Sequence, residues 1–313
     1  RLRDADPDVR ALAARGIGAS DKVGDALISA LTRLLEDPVQ DVRHCATMAI
    51  GQLSGSDADE ARAVAAPRLA AMLRDEEDDP LRSDVAETLA SLGSDASSIV
   101  PELVELLQHP RDWVRWEAAY VLSRIGELPG EVVPLLIQLL REGVHAAPLN
   151  AAQALACCGE AAAGAVPDLI RLLAAEDTEV RKTIAEALGK IGPAAETAVP
   201  ELTRMAQNEG DWHAREAAIC ALGAIGPAAA GSVDALSRFL RQEDLVLQAQ
   251  AAEALGKIGP GAASAIPELL RLLESDNPCF SHTKTCVSWV DLASVLERLG
   301  WRGGQDTVGS AAS

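Results

Sequence analysis

The residues VRKTIAEALGKIGPAAETAVPELTRM, positions 180–205, contain the unit from which the chain is built. The unit recurs as AREAAICALGAIGPAAAGSVDALSRF at 214–239 and as LQAQAAEALGKIGPGAASAIPELLRL at 247–272. Internal self-similarity of this kind is the sequence signature of a repeat architecture. The fold therefore follows from the structure of one unit and from the number of its copies.

The arginine of the Val-Arg pair, Arg181, marks one position in every copy of the unit. The marker positions are Arg10, Arg43, Arg82, Arg115, Pro148, Arg181, Arg215, Gln248 and Trp289. The intervals between them are 33, 39, 33, 33, 33, 34, 33 and 41 residues. A period near 33 residues predicts about nine copies, with insertions around residues 54–60 and 277–286.

Each copy contains two helical stretches, of which the second follows the marker. Apolar residues stand three, four, seven and ten positions after the marker, as in Ile184, Ala185, Leu188 and Ile191. At 100° per residue these positions share one arc, which predicts an amphipathic helix with one buried face. The helix ends at Gly-Pro, as at Gly192-Pro193, because glycine accepts a left-handed backbone and proline cannot continue a helix.

The first helix of the next copy opens with a Val-Pro or Ile-Pro step, where a missing N–H costs little. The prolines at this place are Pro101, Pro134, Pro167, Pro200 and Pro267. Acids recur before the marker, at Asp6, Asp41, Asp112, Asp177, Asp211 and Asp244. We expect these acids to cap the second helix and to pair with the marker arginine of a neighbouring copy.

One helix pair cannot bury its apolar face alone, so neighbouring copies must stack. The predicted fold is all-α, a right-handed α–α superhelix of about nine helix pairs. We assign residues 1–302 to one solenoid domain and residues 303–313, rich in Gly, Ser and Ala, to a disordered tail. Because Arg1–Asp4 resembles the end of a first helix, we expect the chain to be a fragment of a larger protein.

The pattern D-x-x-V-R-x-x-A-A-x-A-L-G-x-I-G-P-A-A-x-x-A-V-P-x-L-x-x-L-L resembles the HEAT repeat of the phycobilisome-lyase-like type. The resemblance extends over residues 1–300. Repeats of this type serve as scaffolds, adaptors and sensor segments, and in one branch as bilin lyases. The resemblance therefore predicts the fold in detail, whereas for the function it gives only a set of alternatives.

Composition narrows the classes of partner. Lys and Arg number 28 and Asp and Glu number 47, a formal charge of −19. Nucleic acids and anionic lipids are bound through basic groups, so neither is an expected partner. No apolar run approaches the ~20 residues that span a bilayer, so no membrane partner is expected. We expect a cytoplasmic protein, because the six cysteines do not form a disulfide framework. We also expect a monomer.

Neither a catalytic motif nor a cofactor motif is present. The sequence contains no P-loop and no G-x-G-x-x-G, G-x-S-x-G or H-E-x-x-H motif, so we expect neither an enzyme nor a cofactor. One group, Cys279, His282 and Cys286, has spacing that suits zinc if a fourth ligand comes from elsewhere. The alternative, which we prefer, is an inserted surface loop that contains these residues without binding a metal.

Aromatic residues are 3% of the chain, so their positions are informative. The arc opposite the buried face comprises the position two residues before the marker and the positions one, five and nine residues after it. In HEAT arrays this arc lines the concave surface. In the fourth copy this arc holds Trp113, Trp116, Tyr120 and Arg124. Trp, Tyr and Arg dominate binding hot spots. The alternative is that these rings pack over neighbouring helices.

Other candidate binding residues occupy the same arc in other copies. They are His44 and Met48 in the second copy, Glu87 in the third, Leu149 and Gln153 in the fifth, and Trp212 and His213 at the start of the seventh. We predict a scaffold or adaptor that holds a peptide or protein on its concave face. A regulatory segment of a larger protein and a bilin lyase-like enzyme are the alternatives.

Overall fold

The computed structural model describes residues 1–19, 24–53, 56–76, 79–142, 147–273 and 290–301. Throughout these ranges the regular secondary structure is helical, as the repeat predicts. The chain forms two compact units, Arg1–Cys157 and Cys158–Ser313. The predicted boundaries of a single solenoid domain and a tail stay predictions, and the Cys279, His282 and Cys286 group lies outside the described residues.

The first unit contains nine described α-helices. They are α1 Pro7–Gly18, α2 Asp25–Leu34, α3 Gln40–Gln52, α4 Ser56–Asp75, α5 Asp79–Ala90, α6 Val100–Leu106, α7 Asp112–Ile125, α8 Val133–Glu142 and α9 Ala147–Cys157. The odd-numbered helices are the second helices of the repeats, and neighbours in this series pack side by side as one layer, the odd layer. Each even-numbered helix packs against the odd-numbered helix that follows it.

The second unit repeats this arrangement. Its described helices are α10 Val166–Leu172, α11 Thr178–Ile191, α12 Val199–Asn208, α13 Trp212–Ile225, α14 Val233–Phe239, α15 Leu245–Ile258, α16 Ile266–Leu273 and α17 Leu292–Arg298. Here α11, α13, α15 and α17 form the odd layer. The predicted buried arc is confirmed, because Ile184, Ala185, Leu188 and Ile191 are all fully buried.

The joint between the second helix of one repeat and the first helix of the next contains a 3-10 helix that the periodicity did not predict. In the second unit these joints are Gly159–Ala165, Gly192–Ala198, Gly226–Ser232 and Gly259–Ala265. Each begins at a glycine of positive φ, for example +74° at Gly192. The predicted left-handed glycine is therefore confirmed, and the small residues after it pack in the core instead of forming a loop.

The acids before the marker perform only part of the predicted role. Asp6, Asp177, Asp211 and Asp244 cap their helices by accepting backbone N–H bonds. Asp41 and Asp112 instead lie inside the first turns of α3 and α7, so the prediction that they are caps was wrong. Relative to its acid, α3 begins two residues earlier than the capped helices and α7 begins one residue earlier.

Four of the marker arginines pair with acids at the end of the next first helix, and not with the neighbouring caps as predicted. The pairs are Arg10–Asp37, Arg43–Glu76, Arg115–Glu142 and Arg181–Glu209, with N–O distances of 2.7–2.8 Å. Arg181 also donates to the carbonyls of Ala175 and Glu176, both at 2.8 Å. One guanidinium thus ties the end of its own first helix to the next repeat.

Candidate functional site

Helix α5 is the centre of the candidate site, because it contacts candidate binding residues on both sides in the odd layer of the first unit. On one side its Arg82 guanidinium carbon lies 5.5 Å from the centroid of the Trp113 ring of α7. On the other side its Asp84 lies 3.1 Å from Nδ1 of His44 of α3. The predicted residues of α3, α5 and α7 thus belong to one continuous surface.

Trp113 is the exposed aromatic of this surface. Its side chain is 37% accessible although it covers Arg82, which is buried. The guanidinium of Arg111 lies over the same ring at 5.7 Å. Cation–π contacts of this kind contribute about 0.5–1 kcal/mol each at exposed sites and favour this placement of the ring. Trp113 is therefore a large and partly pre-ordered apolar surface that faces solvent.

Trp116 and Tyr120 are less exposed than the helical wheel predicted, since both are half-buried. The backbone carbonyl of Trp116 accepts a hydrogen bond of 3.0 Å from Asn150 of α9. This bond shows that α9 closely approaches α7 beside Trp116. Packing between neighbouring odd helices therefore explains part of the burial of Trp116 and Tyr120. This agrees with the alternative that these rings pack over neighbouring helices.

The remaining predicted residues divide between the two units. In the first unit Arg124, Glu87 and Gln153 are exposed, whereas His44, Met48 and Leu149 are half-buried. Trp212 and His213 belong to the second unit, where their rings meet edge to face at 5.0 Å. The indole N–H of Trp212 donates to the capping residue Asp244 at 3.0 Å, which indicates a structural role for this tryptophan.

A groove of about 240 Å³ lies between α3 and α5 on this surface. Met48, Gly51 and Gln52 line it from α3, and Asp84, Glu87, Thr88 and Ser91 line it from the α5 side. Met48 and Glu87 were predicted as binding residues. Gly51, Asp84 and Thr88 were not predicted, because the helical periodicity of a single helix does not show how far apart two neighbouring helices lie.

A larger groove of the first unit, of about 730 Å³ between α2 and α4, is less suitable as a specific site. It is lined by Arg43 and Glu76, which already pair with each other. Asp75, on the same groove, accepts two hydrogen bonds from Arg74, and this contact holds the pKa of Asp75 below its ordinary value. The chain's own arginines thus already engage these acids.

Among the residues that the structure describes, the odd layer of the second unit has no group of side chains comparable to the one around α5. Lys182 pairs with Glu179 and Lys257 with Glu253, so opposite charges satisfy one another. Cys220 is exposed, but desolvation by the surrounding protein and the charge of Glu216 raise the pKa of its thiol to about 11, which keeps this cysteine protonated and a poor nucleophile at neutral pH.

An apolar stretch in the second unit, Trp212–Phe239, is long and apolar enough by composition to cross a membrane. It comprises α13, the 3-10 helix Gly226–Ser232 and α14, and it is broken at Gly226, where φ is +72°. Of its most apolar 18-residue window, 61% is buried within the fold. Core packing therefore accounts for the hydrophobicity of this stretch.

The family model for HEAT repeats matches residues 1–90, 66–156, 133–223 and 199–279, and so covers most of the chain. The chain belongs to the HEAT repeat family. The phycobilisome-lyase-like subtype stays a prediction. No curated protein matches this HEAT-repeat chain in sequence.

Solved structures similar to this HEAT-repeat protein include engineered repeat proteins. An engineered protein with a TM-score of 0.65 is 24% identical, and the match covers 95% of this chain and 86% of that one. A designed armadillo repeat protein in complex with the peptide (KR)4 has a TM-score of 0.50 and 20% identity, and the match covers 64% of this chain and 99% of that one. At these identities the likeness establishes the helical-repeat fold and nothing further.

Proposed function

We propose that this HEAT-repeat protein is a non-enzymatic scaffold that binds a peptide or protein on the odd layer of its first unit. The observation that carries the proposal is that α5 contacts the exposed Trp113 on one side and lines the α3–α5 groove on the other. Exposed tryptophans are typical of binding hot spots, and concave grooves are typical of binding sites. The peptide complex of the designed armadillo protein is consistent with such a use of the fold.

The test begins with binders selected from a random-peptide display library on the purified chain. We expect Trp113→Ala to weaken the selected binders about tenfold or more, because truncation of a hot-spot tryptophan typically costs over 1 kcal/mol. Trp116 and Tyr120 stay unchanged, because truncating half-buried rings would also alter packing. Fluorescence anisotropy measures the affinities, and circular dichroism checks that each variant is folded.

Leu245→Ala is the matched control. Leu245 is 41% exposed and, like Trp113, lies in the first turn of an odd-layer helix, but it belongs to the second unit. We expect its variant to bind as the wild type does. Equal affinity of the Trp113→Ala variant would contradict the proposed surface. Cytoplasmic location, a concave binding face and a monomeric state stay predictions.

A further inference from the structure

The α3–α5 groove exists where a threonine replaces alanine at the contact between two odd helices. Eight positions after the marker, several repeats have a glycine that faces the next odd helix. A Cβ on Gly18 would lie 2.7 Å from the Cα of Ala49, and one on Gly223 would lie 2.8 Å from the Cα of Ala254. At these sites the two backbones approach as closely as the glycine allows.

At Gly51 the same contact is different, because the residue opposite is Thr88. The three atoms nearest to a Cβ there all belong to the Thr88 side chain, with Oγ1 at 3.1 Å and Cβ at 3.9 Å. The side chain of Thr88 is 5% exposed and stands between the two helices. Thr88 therefore separates the backbones of α3 and α5, and the groove occupies the space that this separation opens on the solvent side.

One wall of the groove combines the apolar Met48 with the amide of Gln52, and the other wall has two carboxylates. Met48 supplies a flexible thioether side chain, and Gly51 leaves room beside it. Asp84 and Glu87 supply carboxylates from α5. Asp84 is bound to His44, whereas Glu87 is exposed and has no ion-pair partner among the residues that the structure describes.

We propose that this groove binds the side chain of a lysine or arginine of a partner peptide, with its aliphatic part along Met48 and its charge at Glu87 and Asp84. Long cationic side chains are suited to such a site, because their methylene groups pack on apolar surface while the charged end stays hydrated. The net charge of −19 also attracts a cationic peptide from a distance. This inference rests on the proposed function and specifies the chemistry of the partner.

Methionine methyl resonances provide the test, because the chain has three methionines and Met48 lines the groove. The intact protein, labelled with 13C at methionine methyl groups, is titrated with the N-acetyl methylamides of arginine and of lysine. The glutamine analogue is the uncharged probe. We expect a saturable shift of the Met48 signal with both cations and none with glutamine, while the signal of Met205 in the second unit stays in place.

Two variants and one control locate the effect. We expect Thr88→Ala to stay folded, because it restores the glycine–alanine contact found at Gly18 and Ala49, and to abolish the Met48 response by closing the groove. Glu87→Gln should weaken the response about two- to fivefold, as expected for one partly exposed ion pair. Glu186→Gln, at the same repeat position in the second unit, should leave it unchanged.

The inference is overturned if the glutamine probe shifts Met48 as strongly as the cations, if no probe shifts it, or if Thr88→Ala responds like the wild type. Its failure can be told apart from failure of the proposed function. If the selected peptides lose affinity for the Trp113→Ala variant but not for the Thr88→Ala variant, the proposed scaffold function is supported and the proposed cation site is ruled out.

Discussion

Arg181 is the residue at which the repeat shows most clearly how one side chain can join two helix pairs. Its guanidinium donates to two carbonyls at the end of its own repeat's first helix and to both carboxylate oxygens of Glu209. The Arg181 bond holds the pKa of Glu209 below its ordinary value of 4.5. The pair therefore stabilises the fold while Glu209 is ionised.

Replacement of Arg181 should be costly, and the cost should depend on pH. We expect Arg181→Met to lower the free energy of unfolding by about 2–3 kcal/mol at neutral pH, because Glu209 and two carbonyls lose a charged donor. A carboxylate with a lowered pKa stabilises above its unfolded pKa and loses that effect as the pH falls through the folded value. The Glu209 part of the difference should thus disappear in acid, as urea unfolding at several pH values would measure.

The neighbouring lysine is the control for this substitution. Lys182 also pairs with an acid, Glu179, at 3.1 Å, but the pair lies on the surface within one helix. We expect Lys182→Met to change the free energy of unfolding by no more than about 0.5 kcal/mol. A similar loss in both variants would show that the marker arginine has no special role.

At the scale of helices, small residues set the distance between neighbouring odd helices. A Cβ on Gly223 of α13 would lie 2.8 Å from Cα and 3.0 Å from Cβ of Ala254 in α15. Both atoms belong to rigid parts of the opposite helix, so neither can move without moving the helix. Close packing of this kind makes even one added methyl group unfavourable.

We expect Gly223→Ala to reduce the free energy of unfolding by about 1–3 kcal/mol, the usual cost of overpacking. Gly16→Ala in α1 is the matched control, since no atom lies within 4 Å of its added Cβ. The control should gain about 0.5–1 kcal/mol from helix propensity. Chemical denaturation measures both, and a gain in stability for Gly223→Ala would refute the close-packing account.

The sequence predicts the helices better than the spaces between them. A single helical wheel identified the buried arc of α11 and the glycine that ends it, because these depend on residues within one repeat. It overestimated the exposure of Trp116 and Tyr120 and missed Thr88, because these depend on how closely a neighbouring helix approaches. The acid partner of the marker arginine was missed for the same reason, since it lies about 30 positions away.

At the scale of the whole chain, charge is the dominant surface property. The sequence has 47 acidic and 28 basic side chains, an excess of 19 negative charges. The marker arginines bind acids at the joints between repeats, as in Arg43–Glu76 and Arg115–Glu142. These arginines are therefore unavailable to offset the acids elsewhere. Excess charge of one sign keeps a protein soluble but destabilises its folded state through self-repulsion.

Salt should therefore stabilise this protein. From ~20 mM to ~200 mM sodium chloride the Debye length falls from roughly 20 Å to about 7 Å, which screens repulsion between exposed carboxylates. Exposed ion pairs weaken as well, but each contributes little. We expect the midpoint of thermal unfolding to rise by about 2–4 °C, equivalent to ~1 kcal/mol, in differential scanning calorimetry. A midpoint that falls with salt would mean that the ion pairs at the joints outweigh the repulsion of the unpaired carboxylates.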